Sequence, residues 1–184
     1  MAKKANILVG VTGSIAAYKA ADLVSKLAKA GHNVHVIMTK DATQFIGPLT
    51  FRTLSRNAVV IDLFEEVDEW KPNHIGLADQ ADLMIVAPAT ANIIARLAHG
   101  LADDAISTIA LATLAPILIA PAMNGKMWLH AATQENVKIL KKRGVQFIGP
   151  EAGMLACGYE GIGRLWNVDG ILAAATKMLV NKRR

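Results

Sequence analysis

The sequence predicts a doubly wound α/β domain: a parallel sheet in a flavodoxin- or Rossmann-like three-layer α/β/α arrangement. Two observations carry that prediction. Strand-length apolar runs recur at "NILVGV" (6–11), "NVHVIMT" (33–39), "DLMIVAPA" (82–89), "PILIAPA" (116–122) and "VQFIG" (145–149), and helical patterns separate them. Runs that are apolar at nearly every position, rather than at alternate ones, suit strands covered on both faces, as in a parallel sheet.

The elements follow in order. After the first strand, Ala17, Ala20, Ala21, Val24, Leu27 and Ala28 share one helical face within residues 15–29, while Lys19, Asp22, Lys26 and Lys29 lie off it. Gly31 stands where a helix stops. "VVIDLF" (59–64) is ambiguous, a short extra strand or a connection. "KPNHIGLADQAD" starts a helix after Pro72, and the strand at 82–89 runs into another in "APATANIIARLAHG" (87–100). Small residues from Ala105 onward form a further helix before the strand at 116–122, and the next helix is expected to begin at about Met127. With no repeat, low-complexity segment or linker, residues 1–184 read as a single domain.

Composition narrows the function classes. At 184 residues the chain suits one domain with its own core. Its hydrophobic content of 53% and mean hydropathy of +0.32 are high, so part of the apolar surface is expected to face other subunits. The net charge of +5 invites nucleic-acid binding, but the basic residues form no stripe with interleaved aromatics. An acidic small molecule is an equally good partner for a basic chain. Cys157 is the single cysteine, so no intrachain disulfide can form and a reducing cytoplasm is the natural setting.

The apolar run in "MAKKANILVGV" has strand length and is inadequate for a signal-peptide core. Residues 105–123 carry no charge and approach membrane-spanning length, but Pro116 and Pro121 divide them into a helix and a strand, so no membrane span is expected. His32, His35, His99 and His130 show no metal-ligand spacing, and no metal is expected.

Four loops carry candidate chemistry. In "GVTGSIAAYKA", Gly13 permits a tight turn and Ser14 is a good N-cap for a helix whose N–H groups would face an anion. Neither the Walker A nor the GxGxxG pattern is present, so a single-phosphate ligand such as FMN fits better than ATP or NAD. Thr90 and Asn92 follow the 82–89 strand at the edge where a sheet of this kind binds ligands. Ser107 lies on a small-residue helix that permits close approach of a ring or of another subunit. "GPEAGMLACGYEGIGR" (149–164) holds five of the fourteen glycines, a density that suits a lid or binding loop. Each of these also has a purely structural explanation as a turn, a cap or a packing contact.

Together, "GVTGSIAAYKA", "NHIGLADQAD", "APATANIIARLAHG", "PAMNGKMW" and "ACGYEGIGR" resemble the flavin-containing cysteine decarboxylase family, from about Lys4 to Asp169. The resemblance implies FMN, a homo-trimer or a dodecamer built from trimers, and active sites at subunit contacts. It implies that Gly13, Ser14, Thr39, Phe45, Thr90, Asn92, Ser107, Ala122 and Met123 line the flavin site. His74 would be the base, Asn124 would hold the substrate, and residues 149–164 would close over it as a clamp carrying Cys157.

The implied reaction is FMN-dependent decarboxylation of 4′-phosphopantothenoylcysteine to 4′-phosphopantetheine, in coenzyme A biosynthesis. Direct loss of CO2 would leave an unstabilised carbanion. Oxidation of the CH2–SH group to a thioaldehyde creates an electron sink, and reduction of the resulting enethiol restores the saturated thiol. Lys126 and Arg164 are candidates for the substrate phosphate, with a solvated surface role equally open. The alternatives are a peptidyl-cysteine decarboxylase of the lantibiotic type, whose relatives stop at the enethiol, a flavin prenyltransferase, and a non-catalytic FMN-binding regulatory protein.

Overall fold

The computed structural model describes residues 4–63, 73–154, 156, 158 and 160–181. Six strands form one parallel sheet: β1 (Asn6–Val11), β2 (Asn33–Met38), β3 (Val59–Val60), β4 (Leu83–Ala89), β5 (Ile117–Pro121) and β6 (Gln146–Phe147), in the spatial order β3-β2-β1-β4-β5-β6. The order reverses between β1 and β4, so the carboxyl ends of these two neighbours open a crevice where doubly wound sheets bind ligands.

Alternate strand residues feed two apolar layers. Ile7, Val9 and Val11 join α1 (Ala17–Lys29), α2 (Pro48–Ser55) and α8 (Val168–Asn181) on one face. Leu8, Met84 and Val86 join α3 (Asn73–Gln80), α4 (Ala91–His99), α5 (Ala105–Ala112) and α7 (Ala131–Lys142) on the other. The central strand β4 is buried along its whole length, as expected of a strand covered on both sides.

Several boundaries differ from expectation. α1 starts at Ala17 because Ser14 closes a turn before it, its carbonyl and hydroxyl accepting from the N–H groups of Ala17 and Ala16. The ambiguous segment is a two-residue edge strand, β3, paired parallel with β2. The helix expected at Met127 begins at Gly125 (α6, Gly125–Leu129), because the Asn124 side chain caps it. The glycine-rich stretch contains an antiparallel hairpin, β7 (Glu151–Met154) with β8 (Glu160–Arg164), rather than a plain loop. No helix is long and apolar enough to cross a membrane, among the described residues.

At the amino edge of the sheet, three asparagines link successive strands. Asn57 donates to the Asn33 side-chain oxygen (3.0 Å), and Asn33 donates to that of Asn6 (2.9 Å). Asn33 also stands 3.1 Å from His35 Nε2, which accepts in the neutral tautomer protonated at Nδ1. Burial lowers the His35 pKa below its ordinary 6.5. The unfolded chain therefore takes up the proton first, so this residue leaves stability unchanged above about pH 6.5 and reduces it as pH falls toward the folded pKa. Thermal unfolding of His35→Gln and wild type across pH 5 to 8 is expected to show a shallower acid-side loss in the variant. Parallel curves would rule this out.

Candidate functional site

The crevice between β1 and β4 is built by Thr12, the first residue after β1. Its buried hydroxyl donates to the Pro88 carbonyl (2.7 Å) and accepts from the Thr90 N–H (3.0 Å). One side chain thereby fixes the two loops that leave the carboxyl ends of the central strands. Gly13 follows, and here a side chain would not fit: an added Cβ would lie 2.5 Å from Cβ of Asp41.

Two cavities open on this edge, of about 510 and about 600 Å³, within the range of small-molecule sites. They share Gly13, Thr90 and Met127 and so form one continuous groove. The first holds Thr39, Thr90 and Asn92. Thr39 caps the short 3-10 turn Lys40–Gln44, and Thr90 caps α4. The N–H groups of Ala91 and Asn92, at the α4 N-terminus, have no acceptor among the described residues, and both residues line the groove. A helix start of this kind offers aligned donors to an anion. At the start of α1, where the sequence leads one to expect an anion, Ser14 accepts from the N–H groups of Ala16 and Ala17, and α4 offers further open donors at the same edge.

The second cavity is lined by Ser14, Ala122, Met123 and Asn124, under the hairpin residues Met154 and Gly163. The Asn124 side-chain oxygen accepts from the Lys126 N–H (2.9 Å). Because a backbone N–H can only donate, that bond fixes which way the amide faces. The hairpin docks on this segment through two glycines. The Met123 N–H donates to the Gly163 carbonyl (3.0 Å); a Cβ on Gly163 would fall 2.1 Å from the Met123 oxygen, and one on Gly125 would fall 2.7 Å from that of Ile162.

Seven of the residues expected from the sequence therefore converge on the groove: Gly13, Ser14, Thr39, Thr90, Asn92, Ala122 and Met123, with Asn124 beside them. Three described residues line neither cavity. Phe45 is 47% exposed just before α2. Ser107 is buried, and its hydroxyl and N–H complete a reciprocal cap with Asp104 at the start of α5. His74 is half-buried near the start of α3. Cys157 lies outside the described residues. Sequence reasoning missed Thr12, for which no local signal exists, and Arg96, whose pairing with Asp103 and Asp104 borders the first cavity.

The residues present fit FMN. Hydroxyls and helix-terminal N–H groups at Thr39, Thr90 and Asn92 suit a phosphate and a hydroxylated chain. The walls at Ala122, Met123 and Met127 suit a flat ring, and Gly13 leaves the backbone open to close approach.

A doubly wound sheet with a mononucleotide-sized groove at its switch point defines a nucleotide-binding α/β protein. The chain belongs to the Flavoprotein family, whose model matches residues 1–180. It is 49% identical over 97% of its length to the whole of a probable phosphopantothenoylcysteine decarboxylase from Streptococcus mutans. It is 51% identical over 96% of its length to the coenzyme A biosynthesis bifunctional protein CoaBC of Bacillus subtilis, and spans 44% of that protein. Among solved structures, it resembles the FMN-dependent cysteine decarboxylase SpaF (29% identity, TM-score 0.83, 96% of this chain and 97% of that one). It also resembles a PPC decarboxylase mutant complexed with pantothenoylaminoethenethiol (26% identity, TM-score 0.84, 95% and 98%).

Proposed function

We propose that the chain is an FMN-dependent carboxy-lyase that converts 4′-phosphopantothenoylcysteine to 4′-phosphopantetheine in coenzyme A biosynthesis. The observation that carries this reading is the Asn124 amide, held by its helix cap in a cavity continuous with the groove that fits FMN. Bound FMN supplies a two-electron acceptor and donor, so that the substrate's CH2–SH carbon can be oxidised before CO2 leaves and reduced afterwards.

The chain's own residues position and move protons. Asn124 orients the carboxylate with a neutral donor. An arginine or lysine there would stabilise the charged ground state and lose that interaction as CO2 departs, so a weaker neutral donor favours the transition state. His74 is the base for the thiol, an imidazole being suited to proton transfer near neutral pH. Since His74 lines neither cavity of its own chain, it serves the site of a neighbouring copy, in a homo-trimer or a dodecamer built from trimers. Exposed Leu111 and Leu114 on and after α5, against which α3 packs, supply apolar surface for such contacts. Cys157 delivers the proton that completes reduction of the enethiol. The setting is the cytoplasm, where a lone thiol stays reduced.

Incubating the FMN-loaded protein with 4′-phosphopantothenoylcysteine and identifying products by mass spectrometry tests the reading. 4′-Phosphopantetheine is the expected product; an FMN-loaded protein that leaves this compound intact would overturn the substrate assignment. Cys157→Ser is expected to release CO2 yet accumulate the unsaturated thiol. Full conversion to the saturated thiol by that variant would remove Cys157 from the reductive half.

A further inference from the structure

The two halves of the groove carry opposite charge. In the first cavity Lys40 and Arg96 stand against four carboxylates, those of Asp41, Asp62, Asp103 and Asp104. In the second the only charged side chains among the described residues are two cations, Lys19 and Arg164. They come from different elements, the first turn of α1 and the last residue of β8, yet border the same space as Asn124.

Neither is neutralised by an ion pair among the described residues. Glu151 is the cross-strand neighbour of Arg164. Its carboxylate accepts from the backbone and side-chain N–H groups of Asn167 (both 3.0 Å), which is the main reason its pKa is lowered, with Arg164 and Lys19 adding to the effect. That acid is turned toward Asn167 and does not line the cavity, so the two cations leave a surplus of positive charge there. Gly153 preserves the placement of Arg164: a Cβ there would sit 2.5 Å from a guanidinium nitrogen. Lys126, the other cation considered from the sequence, is exposed on α6 and does not line this cavity.

From this arrangement we propose that Lys19 and Arg164 bind the phosphate of the substrate and set the enzyme's preference for phosphorylated over unphosphorylated forms. The proposal rests on the decarboxylase reading above. It follows from how the substrate's two anionic ends behave. The carboxylate vanishes in the reaction and is met by a neutral amide. The phosphate keeps its charge throughout, so strong cationic contacts to it add binding without opposing the chemical step. Lys19 is half-buried and Arg164 exposed, which places the pair toward the mouth of the cavity.

The test compares kcat/KM of the FMN-loaded enzyme for 4′-phosphopantothenoylcysteine and for pantothenoylcysteine, in wild type, Lys19→Met and Arg164→Gln. Wild type is expected to prefer the phosphorylated compound. Each variant is expected to lose on the order of tenfold to a hundredfold on that compound, mainly through KM, the size of one charge-assisted contact. Each is expected to stay within about twofold on pantothenoylcysteine. Arg164→Lys, which keeps the charge, is expected to retain most of the preference. Equal losses on both compounds would reveal a structural role, and unchanged preference would exclude phosphate binding; either result overturns the proposal while leaving the decarboxylase reading intact. Turnover of neither compound by wild type would overturn the reading itself, and the phosphate site with it.

Discussion

Asn124→Asp is expected to fold, to retain FMN and to lose at least about a thousandfold in decarboxylation. The aspartate keeps an oxygen that accepts from the Lys126 N–H, so the cap on α6 survives. In the proposed reading, what changes is the group that meets the substrate carboxylate: a neutral amide becomes an anion. Loss of a hydrogen bond to a charged group amounts to about 1.5–3 kcal/mol. Like-charge apposition at a partly enclosed site adds repulsion of several kcal/mol. Together these exceed the roughly 4 kcal/mol that a thousandfold loss represents. Steady-state kinetics alongside flavin absorbance distinguishes the outcomes. A variant with normal flavin and activity within tenfold of wild type would place the carboxylate elsewhere.

Gly163→Ala is expected to be nearly as damaging, for a mechanical reason. Gly163 has φ of +141°, a conformation that side chains rarely adopt, and its Cβ would overlap the carbonyl of Met123. Both obstacles lie in backbone, which cannot swing aside. The Met123–Gly163 hydrogen bond must break, or the segment bearing Asn124 must move with it. A displacement of about 1 Å at a positioning group costs on the order of a hundredfold in rate. The sheet and the Thr39–Thr90 half of the groove are untouched, so kcat per bound flavin is expected to fall even where the shift of Met123 also weakens the hold on FMN. An unchanged kcat per bound flavin would show that the hairpin and the Asn124 segment are uncoupled.

The strands were legible because burial on both faces writes itself into continuous apolar runs, and β1, β2, β4 and β5 match to within a residue at either end. β3 and β6 are two-residue edge strands whose pairing is decided by the neighbour, so the sequence left one ambiguous and overextended the other. The hairpin β7–β8 was illegible because β7 alternates between half-buried and exposed, β8 buries only Gly163, and glycines stand where apolar residues would mark a strand. At the site, caps were legible at Thr90, where a hydroxyl residue stands between an apolar strand and a periodic helix. Asn124, expected at the site, does border the second cavity, but its helix was placed two residues late, since Asn-Gly reads as a turn until the asparagine is seen to cap. Ser107 illustrates the converse: D-x-x-S before an apolar run is a capping signal, and the hydroxyl is engaged there. Thr12 was beyond reach, because its partners Pro88 and Thr90 are distant in sequence and only the fold brings them together.

That threonine also limits how the protein can be re-engineered. Chimeras commonly swap one strand–loop–helix unit between relatives as if it were a cassette. Here the loops leaving β1 and β4 are tied by the Thr12 hydroxyl, and its partners at 88 and 90 are a backbone carbonyl and a backbone N–H. A transplanted 87–100 segment therefore brings the needed partners with it whatever its side chains, short of proline at 90, and the one side chain a chimera must keep for this joint is the hydroxyl at position 12.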